Sequence, residues 1–225
     1  MRRGSVNEGA CPVCRSPGSE PLLPVEGRDY RRCGVCAARF LDPRQLPSRE
    51  VEYAHYLNHE NHPDDPGYRR FLSKLAEPLL TRLAPSSRGL DYGCGPGPAL
   101  AAMLREAGHK VALYDPFFHP DRKPLEGSYD FVTCTETAEH FHRPADEFDR
   151  LMGLVRPGGW LAIMTCFQTD DSRFAEWRYR MDPTHVVFYR EATLRHLAAS
   201  RGWRCEIPAK DVALMRRPDT PGGDG

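Results

Sequence analysis

The chain of 225 residues carries 31 Lys/Arg against 31 Asp/Glu, a formal net charge of zero and a pI near 7.1. That length suits one domain of ordinary size with a small appendage. The charge balance weighs against nucleic acid as the main partner, because such affinity comes mostly from neutralised phosphates, and leaves room only for a locally basic groove. No apolar run approaches the roughly 20 residues of a transmembrane helix. The opening Met1–Glu8 lacks the apolar stretch of a signal peptide, so a cytoplasmic protein without membrane contact is the expectation.

Residues 1–10 read as a flexible tail. Four of the eight cysteines then form Cys11-x-x-Cys14 and Cys33-x-x-Cys36, with 18 residues between the pairs. This is the spacing of structural zinc sites. Each pair makes a tight knuckle, and four thiolates fill a tetrahedron with no open position, so the expected zinc is structural and not catalytic. The ribbon, 11–42, is too small to bury a core, and metal binding would supply its folding energy. Two disulfides are the competing reading, and they need an oxidising compartment that nothing else in the sequence suggests. Cys94, Cys134, Cys166 and Cys205 are isolated; Cys134 and Cys166 sit in apolar strands and read as core.

Residues 43–67 read as a polar linker, rich in proline, in which Tyr53 and Tyr56 could fold over a ligand. His55 and His59 stand four apart and read as an exposed polar face. Tyr68, Phe71, Leu72, Leu75, Leu79 and Leu83 predict an amphipathic helix, with Pro78 as a kink point. A strand then runs into Gly89-Leu90-Asp91-Tyr92-Gly93-Cys94-Gly95-Pro96-Gly97-Pro98, and a helix carrying Leu100, Met103 and Leu104 follows. Val111–Tyr114 is a second strand ending in Asp115. Tyr129–Cys134 is a third, followed by Glu136-Thr137-Ala138-Glu139-His140-Phe141. A helix with Phe148, Leu151, Met152 and Val155 stops at Arg156-Pro157-Gly158-Gly159, and a strand resumes at Trp160–Met164. Phe174, Trp177 and Tyr179 either wall a flat substrate or lie in the core under a lid. Arg190–Arg201 predicts a helix, Trp203–Ile207 and Val212–Met215 a closing pair of strands, and 218–225 a disordered tail.

Glycines at alternate positions let a turn reach φ > 0 and bring backbone amides close to a ligand. The run does not fit G-x-G-x-x-G, because Pro98 or Leu100 occupies the last position, and it lacks the Gly-Lys-Ser/Thr ending of a P-loop. The observed D-x-G-x-G-x-G, with Asp115 eighteen positions after Gly97, resembles motif I of class I S-adenosylmethionine-dependent methyltransferases. A Gly-rich turn in another Rossmann-like fold is the alternative. The strand at 129–134, the acid–His segment after it and the Pro-Gly-Gly turn also resemble that family in order. The resemblance covers about residues 68–217, which it makes the methyltransferase domain. It implies an α/β Rossmann-like sheet and S-adenosylmethionine as cofactor. It assigns the cofactor site to Asp91, Gly93, Cys94, Gly95, Gly97 and Asp115, with Asp115 on the ribose. Only thirteen residues separate Asp115 from Tyr129. A helix and a regular third strand do not fit there. The adenine contact is therefore unassigned, with Asp121 the nearest candidate.

Glu136, Glu139 and His140 would share one face of a helix starting after that strand. The set resembles the metal site of ubiquinone-biosynthesis O-methyltransferases and of small-RNA terminal 2′-O-methyltransferases, where a later histidine, here His185, completes it. The resemblance implies either a second divalent metal at Glu136/Glu139/His140/His185 or acid–base histidines without metal; purely structural histidines are the third reading. His142, one turn on, reads as solvent-exposed. The expected activity is methyl transfer to oxygen of a small molecule. Sugar C-methylation and RNA methylation are alternatives, and a non-catalytic cofactor-sensing binding module is the rival from another class. The sequence sets no oligomeric state.

Overall fold

The computed structural model describes residues 9–58 and 62–219. Most of the two expected tails, and His59, lie outside the described residues. In chain order the elements are β1 (Glu20–Val25), β2 (Arg28–Arg32), β3 (Arg39–Leu41), α1 (Arg49–Tyr56), α2 (Pro66–Leu80), β4 (Arg88–Tyr92), α3 (Ala99–Glu106) and β5 (Lys110–Tyr114). There follow β6 (Tyr129–Thr135), α4 (Pro144–Leu154), β7 (Val155–Met164), β8 (Val187–Phe188), α5 (Glu191–Ala199), β9 (Arg204–Ala209) and β10 (Val212–Arg216). No helix among the described residues is long and apolar enough to cross a membrane.

Six strands form one mixed sheet in the order β5-β4-β6-β7-β10-β9. The first four are parallel, and β10 runs antiparallel to both of its neighbours. A parallel sheet must be covered on both faces. Leu72, Leu75 and Leu79 of α2 and Leu100 and Leu104 of α3 cover one face, over Val111, Phe131 and Leu214. Phe148 and Leu151 of α4 and Leu194 and Leu197 of α5 cover the other, over Leu90, Val132, Leu161 and Ile163. β4 lies so close to Phe131 that a Cβ on Gly89 would stand 2.1 Å from its ring.

As the short spacing predicts, no strand lies between Asp115 and Tyr129. Residues between Asp115 and Tyr129 make one bridge, Asp115 to His119, and a 3₁₀ turn at Lys123–Glu126. The Pro-Gly-Gly turn lies within β7 as a bulge. Pairing jumps from Tyr129↔Val155 to Phe131↔Trp160, and Gly158 sits at φ +75°.

The ribbon builds a second sheet, β1-β2-β3-β8, whose last strand comes from the far end of the chain. It was expected as an appendage on a polar linker. Instead Cys11, Cys33, Cys36 and Phe40 share one buried cluster with Phe148, Tyr189 and Leu194. The linker reading of 43–67 also changes, because α1 occupies its centre, capped by Ser48 and with Glu50 and Glu52 in the first turn.

Asp91 ends the strand that feeds the glycine loop, and its carboxylate points into the sheet. Burial pushes it up to about 6, although Thr133 Oγ1 donates to it at 2.7 Å. A folded-state value above the unfolded one favours the native state at low pH, and that contribution is lost as pH rises through 6. Asp91→Asn keeps an acceptor for Thr133 and removes the buried charge. It is expected to stabilise the protein by about 1–3 kcal/mol at pH 7 and to have little effect at pH 4, by thermal unfolding at the two values.

Candidate active site

A cavity of about 930 Å³ opens at the carboxyl ends of β4, β5 and β6. Open α/β sheets bind ligands there. Gly93, Cys94, Gly95 and Asp115 line one part, and Glu136, Glu139, His140 and His185 another. Asp91 and Gly97, both expected to touch the cofactor, do not line it; Asp91 is turned into the sheet against Thr133.

The two lining glycines do different things. Gly93 is at φ +74°, and a Cβ there would stand 2.2 Å from Thr137, whose hydroxyl donates to the Gly93 carbonyl at 3.0 Å. It is a packing glycine. Gly95, at φ +65°, would meet nothing within 4 Å and so keeps the loop open. Asp115 accepts from the amides of Gly95 at 3.1 Å, Phe117 at 2.8 Å and Phe118 at 3.0 Å. It therefore joins the glycine loop to the turn that replaces the third strand.

α1 lies across this turn. Tyr53 stacks on Phe117 at 5.7 Å between centroids, and Tyr56 meets the same ring edge-on at 5.3 Å. Arg49 donates to the Pro116 carbonyl at 2.9 Å, with its guanidinium 4.8 Å over Phe117. Glu52, buried in α1, comes within 2.9 Å of His142 Nε2, so His142 faces the cavity rather than solvent. His55 is not an exposed face either: its Nε2 lies 3.0 Å from Asp182 Oδ2. Glu52 and Asp182 carry no motif, since the histidine each meets across the cavity wall, His142 and His55, comes from a distant segment.

The acid–His segment does not start a helix. Glu136 is at φ +47°, and only a 3₁₀ turn, Ala138–His140, follows. The shared-face argument fails for Glu136, yet ligand atoms of Glu139, His140 and His185 lie within 4.8 Å of one another. Glu139 is wholly buried, its carboxylate oxygens make no hydrogen bond of good geometry among the described residues, and burial raises its pKa against the opposing pull of His185 and the nearby Tyr179 and Thr165 hydroxyls. His140 Nδ1 is 3.1 Å from the Thr184 carbonyl and His185 Nδ1 is 2.6 Å from that of Tyr179. A carbonyl only accepts, so both rings carry a proton on Nδ1. Metal-ligating histidines use this arrangement, which fixes the tautomer and ring orientation. An orphaned buried carboxylate beside two so-held imidazoles fits a divalent cation. Glu136 stands apart, with the Tyr179 hydroxyl at 3.3 Å; burial, then Glu139, pushes it up to about 9.

Asp182 lies 3.8 Å from His185 Nε2. Burial acts to raise its pKa, but His185 and the hydrogen bonds from Thr184 outweigh this, and the carboxyl falls below the usual range. Of the three aromatics in this segment, Phe174 is core, 5.0 Å from Tyr30 and 5.2 Å from Phe188. Trp177 packs on Phe188 at 5.6 Å, and only Tyr179 reaches the acid–His group.

In the ribbon, Cys11 and Cys36 Sγ are 3.6 Å apart, as are Cys14 and Cys33, and all four lie within 4.8 Å of one another. Tetrahedral Zn–S bonds of ~2.3 Å imply sulfurs ~3.8 Å apart. The amides of Val35 and Cys36 point at Cys33 Sγ at 3.4 Å, and that of Val13 at Cys11 Sγ. The Cys36 thiol lowers Cys11 to about 5, while Cys36 itself is driven up by the hydrogen bond it gives and by burial. Four thiols so placed can hold a metal ion.

Residues 64–206 match a family described as a methyltransferase domain, and the chain belongs to that family. It is 27% identical over 170 residues to a ubiquinone biosynthesis O-methyltransferase of Bordetella avium, covering 65% of this chain and 64% of that protein. It is 28% identical over 173 residues to a mitochondrial ubiquinone biosynthesis O-methyltransferase of Schizosaccharomyces pombe, covering 59% and 63%. The chain thus spans a little under two thirds of the length of these curated relatives. A solved O-methyltransferase family protein from Burkholderia thailandensis superposes with a TM-score of 0.49 at 18% identity, over 77% of this chain and 64% of that one.

Proposed function

We propose that this protein transfers the methyl group of S-adenosylmethionine to an oxygen of a small molecule. One observation carries the reading: a single cavity joins the glycine loop and Asp115 to Glu139, His140 and His185. The relatives named as O-methyltransferases support oxygen as the acceptor atom. The intact loop and the converging acid–His group speak for an enzyme over a cofactor-sensing module.

Bound S-adenosylmethionine supplies an electrophilic methyl on its sulfonium. The chain's own task is alignment of the two reactants and removal of the acceptor's proton. Gly95 leaves open space for the methionine part, Gly93 lets the loop pack on Thr137, and Asp115 would accept from the ribose hydroxyls. Tyr56 and α1 cover the cavity and exclude water. His185, its Nδ1–H held by the Tyr179 carbonyl, presents Nε2 to the acceptor, and Asp182 beside it stabilises the imidazolium that proton capture forms. In the alternative route Glu139, His140 and His185 would hold a divalent ion, the His185 Nε2 lone pair serving the ion in place of the proton, and the ion would lower the pKa of a bound hydroxyl.

Asp115→Ala is expected to weaken S-adenosylmethionine binding by about 1.5–3 kcal/mol, by calorimetry. Gly95→Val should be worse, because its side chain enters open space the cofactor needs. Binding of a nicotinamide dinucleotide in its place would sink the reading.

His185→Ala should lower turnover about a hundredfold or more while cofactor affinity stays within a few-fold. Metal add-back after gentle chelation separates the two routes. Restored turnover on addition of Mg²⁺, Mn²⁺ or Zn²⁺ supports the ion; turnover indifferent to chelation leaves His185 as a plain base.

Cys11, Cys14, Cys33 and Cys36 hold one structural zinc in this reading. Elemental analysis of the purified chain should find it, and Cys33→Ser should release it and lower the melting temperature. Two disulfides by mass mapping and no zinc would be the contrary result.

A further inference from the structure

The ribbon takes no part in the chemistry proposed above, yet it is built into the site's frame. β3 begins three residues after Cys36 and pairs with β8, Arg39↔Phe188 and Phe40↔Val187. The Leu41 amide donates to the Val186 carbonyl at 2.8 Å, and the Val186 amide donates to the Glu139 carbonyl at 2.9 Å. His185 is the residue before Val186. β8 has two residues, and among the described residues β3 is its one strand neighbour; the Gln168 amide, donating to the Tyr189 carbonyl at 2.8 Å, holds the chain just beyond it.

The ribbon also grips the segment leading to His185. Arg39, 5% exposed, makes a bidentate pair with Asp171 at 2.7 and 2.5 Å. Arg28 donates to the Pro183 carbonyl at 2.7 Å. Tyr30 packs on Phe174 and lies 6.0 Å from the guanidinium of the buried Arg180. On the thiol side, the Ala145 amide of α4 donates to the Pro12 carbonyl at 2.9 Å, which anchors the first knuckle to the main domain.

We infer that the cysteine ribbon is the positioning element for His185, with Arg39 its principal positioning residue. The thiolate cluster fixes β3, β3 fixes β8 and the 171–184 segment, and these fix the imidazole against Glu139 and His140. Misplacing a reacting group by about 1 Å can cost about a hundredfold in rate, so the linkage matters to chemistry without touching substrate. The ribbon's own metal thereby governs the competence of a site it does not line.

The test uses the full chain and three variants: Arg39→Ala, Arg39→Lys and Cys14→Ser. Amide exchange is followed over residues 186–188, and the Nδ1–H tautomer of His185 by long-range histidine NMR, assigned with His185→Gln. Arg39→Ala should speed exchange at 186–188 by about tenfold or more and average the tautomer signal. Lysine still reaches one oxygen of Asp171, so Arg39→Lys should recover most of both. Cys14→Ser, with Arg39 intact, should reproduce the Arg39→Ala signature from the metal end. S-adenosylmethionine affinity should stay within about twofold in all three, because the glycine loop is held by other elements. Exchange and tautomer unchanged in Arg39→Ala or in a metal-free Cys14→Ser would overturn the inference. So would cofactor affinity falling in step with faster exchange, which would mean general loosening. A turnover arm, expected to show kcat falling with little change in KM, rests on the proposed activity; the exchange and tautomer arms do not, so the two can fail separately.

Discussion

Val186 is one residue with two backbone bonds that join three distant stretches of chain. Its carbonyl accepts from Leu41 of the ribbon, and its amide donates to Glu139 beyond β6. His185 precedes it, Val187 and Phe188 follow as β8, and both sides of that short segment are buried. This tie, with the contacts of His140 Nδ1 to the Thr184 carbonyl and of the Tyr189 hydroxyl to the Ala138 carbonyl, holds the segment carrying His185 against the one carrying Glu139 and His140. With it, a carboxylate that makes no hydrogen bond of good geometry among the described residues is held in the interior against its desolvation cost. Such a group persists only where the surrounding structure leaves it no alternative, and here that structure is the junction of two sheets.

That junction changes what the cysteine knuckles mean. A zinc ribbon on a tether is commonly a handle for another molecule. Here three of its four cysteines are buried with residues of α4 and α5, and its strands continue into a segment of the methyltransferase domain. The ribbon's own sheet is complete only with β8, the strand that directly follows His185 and Val186.

Local signals in the chain were enough for the main sheet. β4, β6 and β7 are apolar runs bounded by Gly, Ser or Pro, and their partners follow from the order of alternating helices. The loop at Gly93–Gly95 was legible because backbone at positive φ leaves a mark in residue type. The shortage of residues before Tyr129 correctly ruled out a third strand. α1 was hidden, since its aromatic residues face Phe117 and the cavity instead of the core, and its polar composition reads as a linker. β8 was hidden too, because two residues carry no period and the pairing joins positions nearly 150 apart. Glu136 misled: three acidic and basic residues at helical spacing imply a helix only if the backbone takes that course, and a left-handed residue diverts it. Asp91 misled in another way, since its place in the motif does not say which way its side chain points.

The missing third strand leaves β5 as the outer edge of the sheet, with no strand to shield its backbone. Arg105, on the helix just before it, donates from Nε and Nη2 to the Val111 carbonyl at 3.2 and 2.5 Å. Lys110 stands exposed at the start of the strand, and the Asp115–His119 turn closes its end. An open edge is a template for pairing with a second chain, and charge together with an occupied acceptor defeats that pairing. The shortened connection thus leaves an open edge at which Arg105 occupies the Val111 acceptor and Lys110 adds charge, the two features that disfavour pairing there.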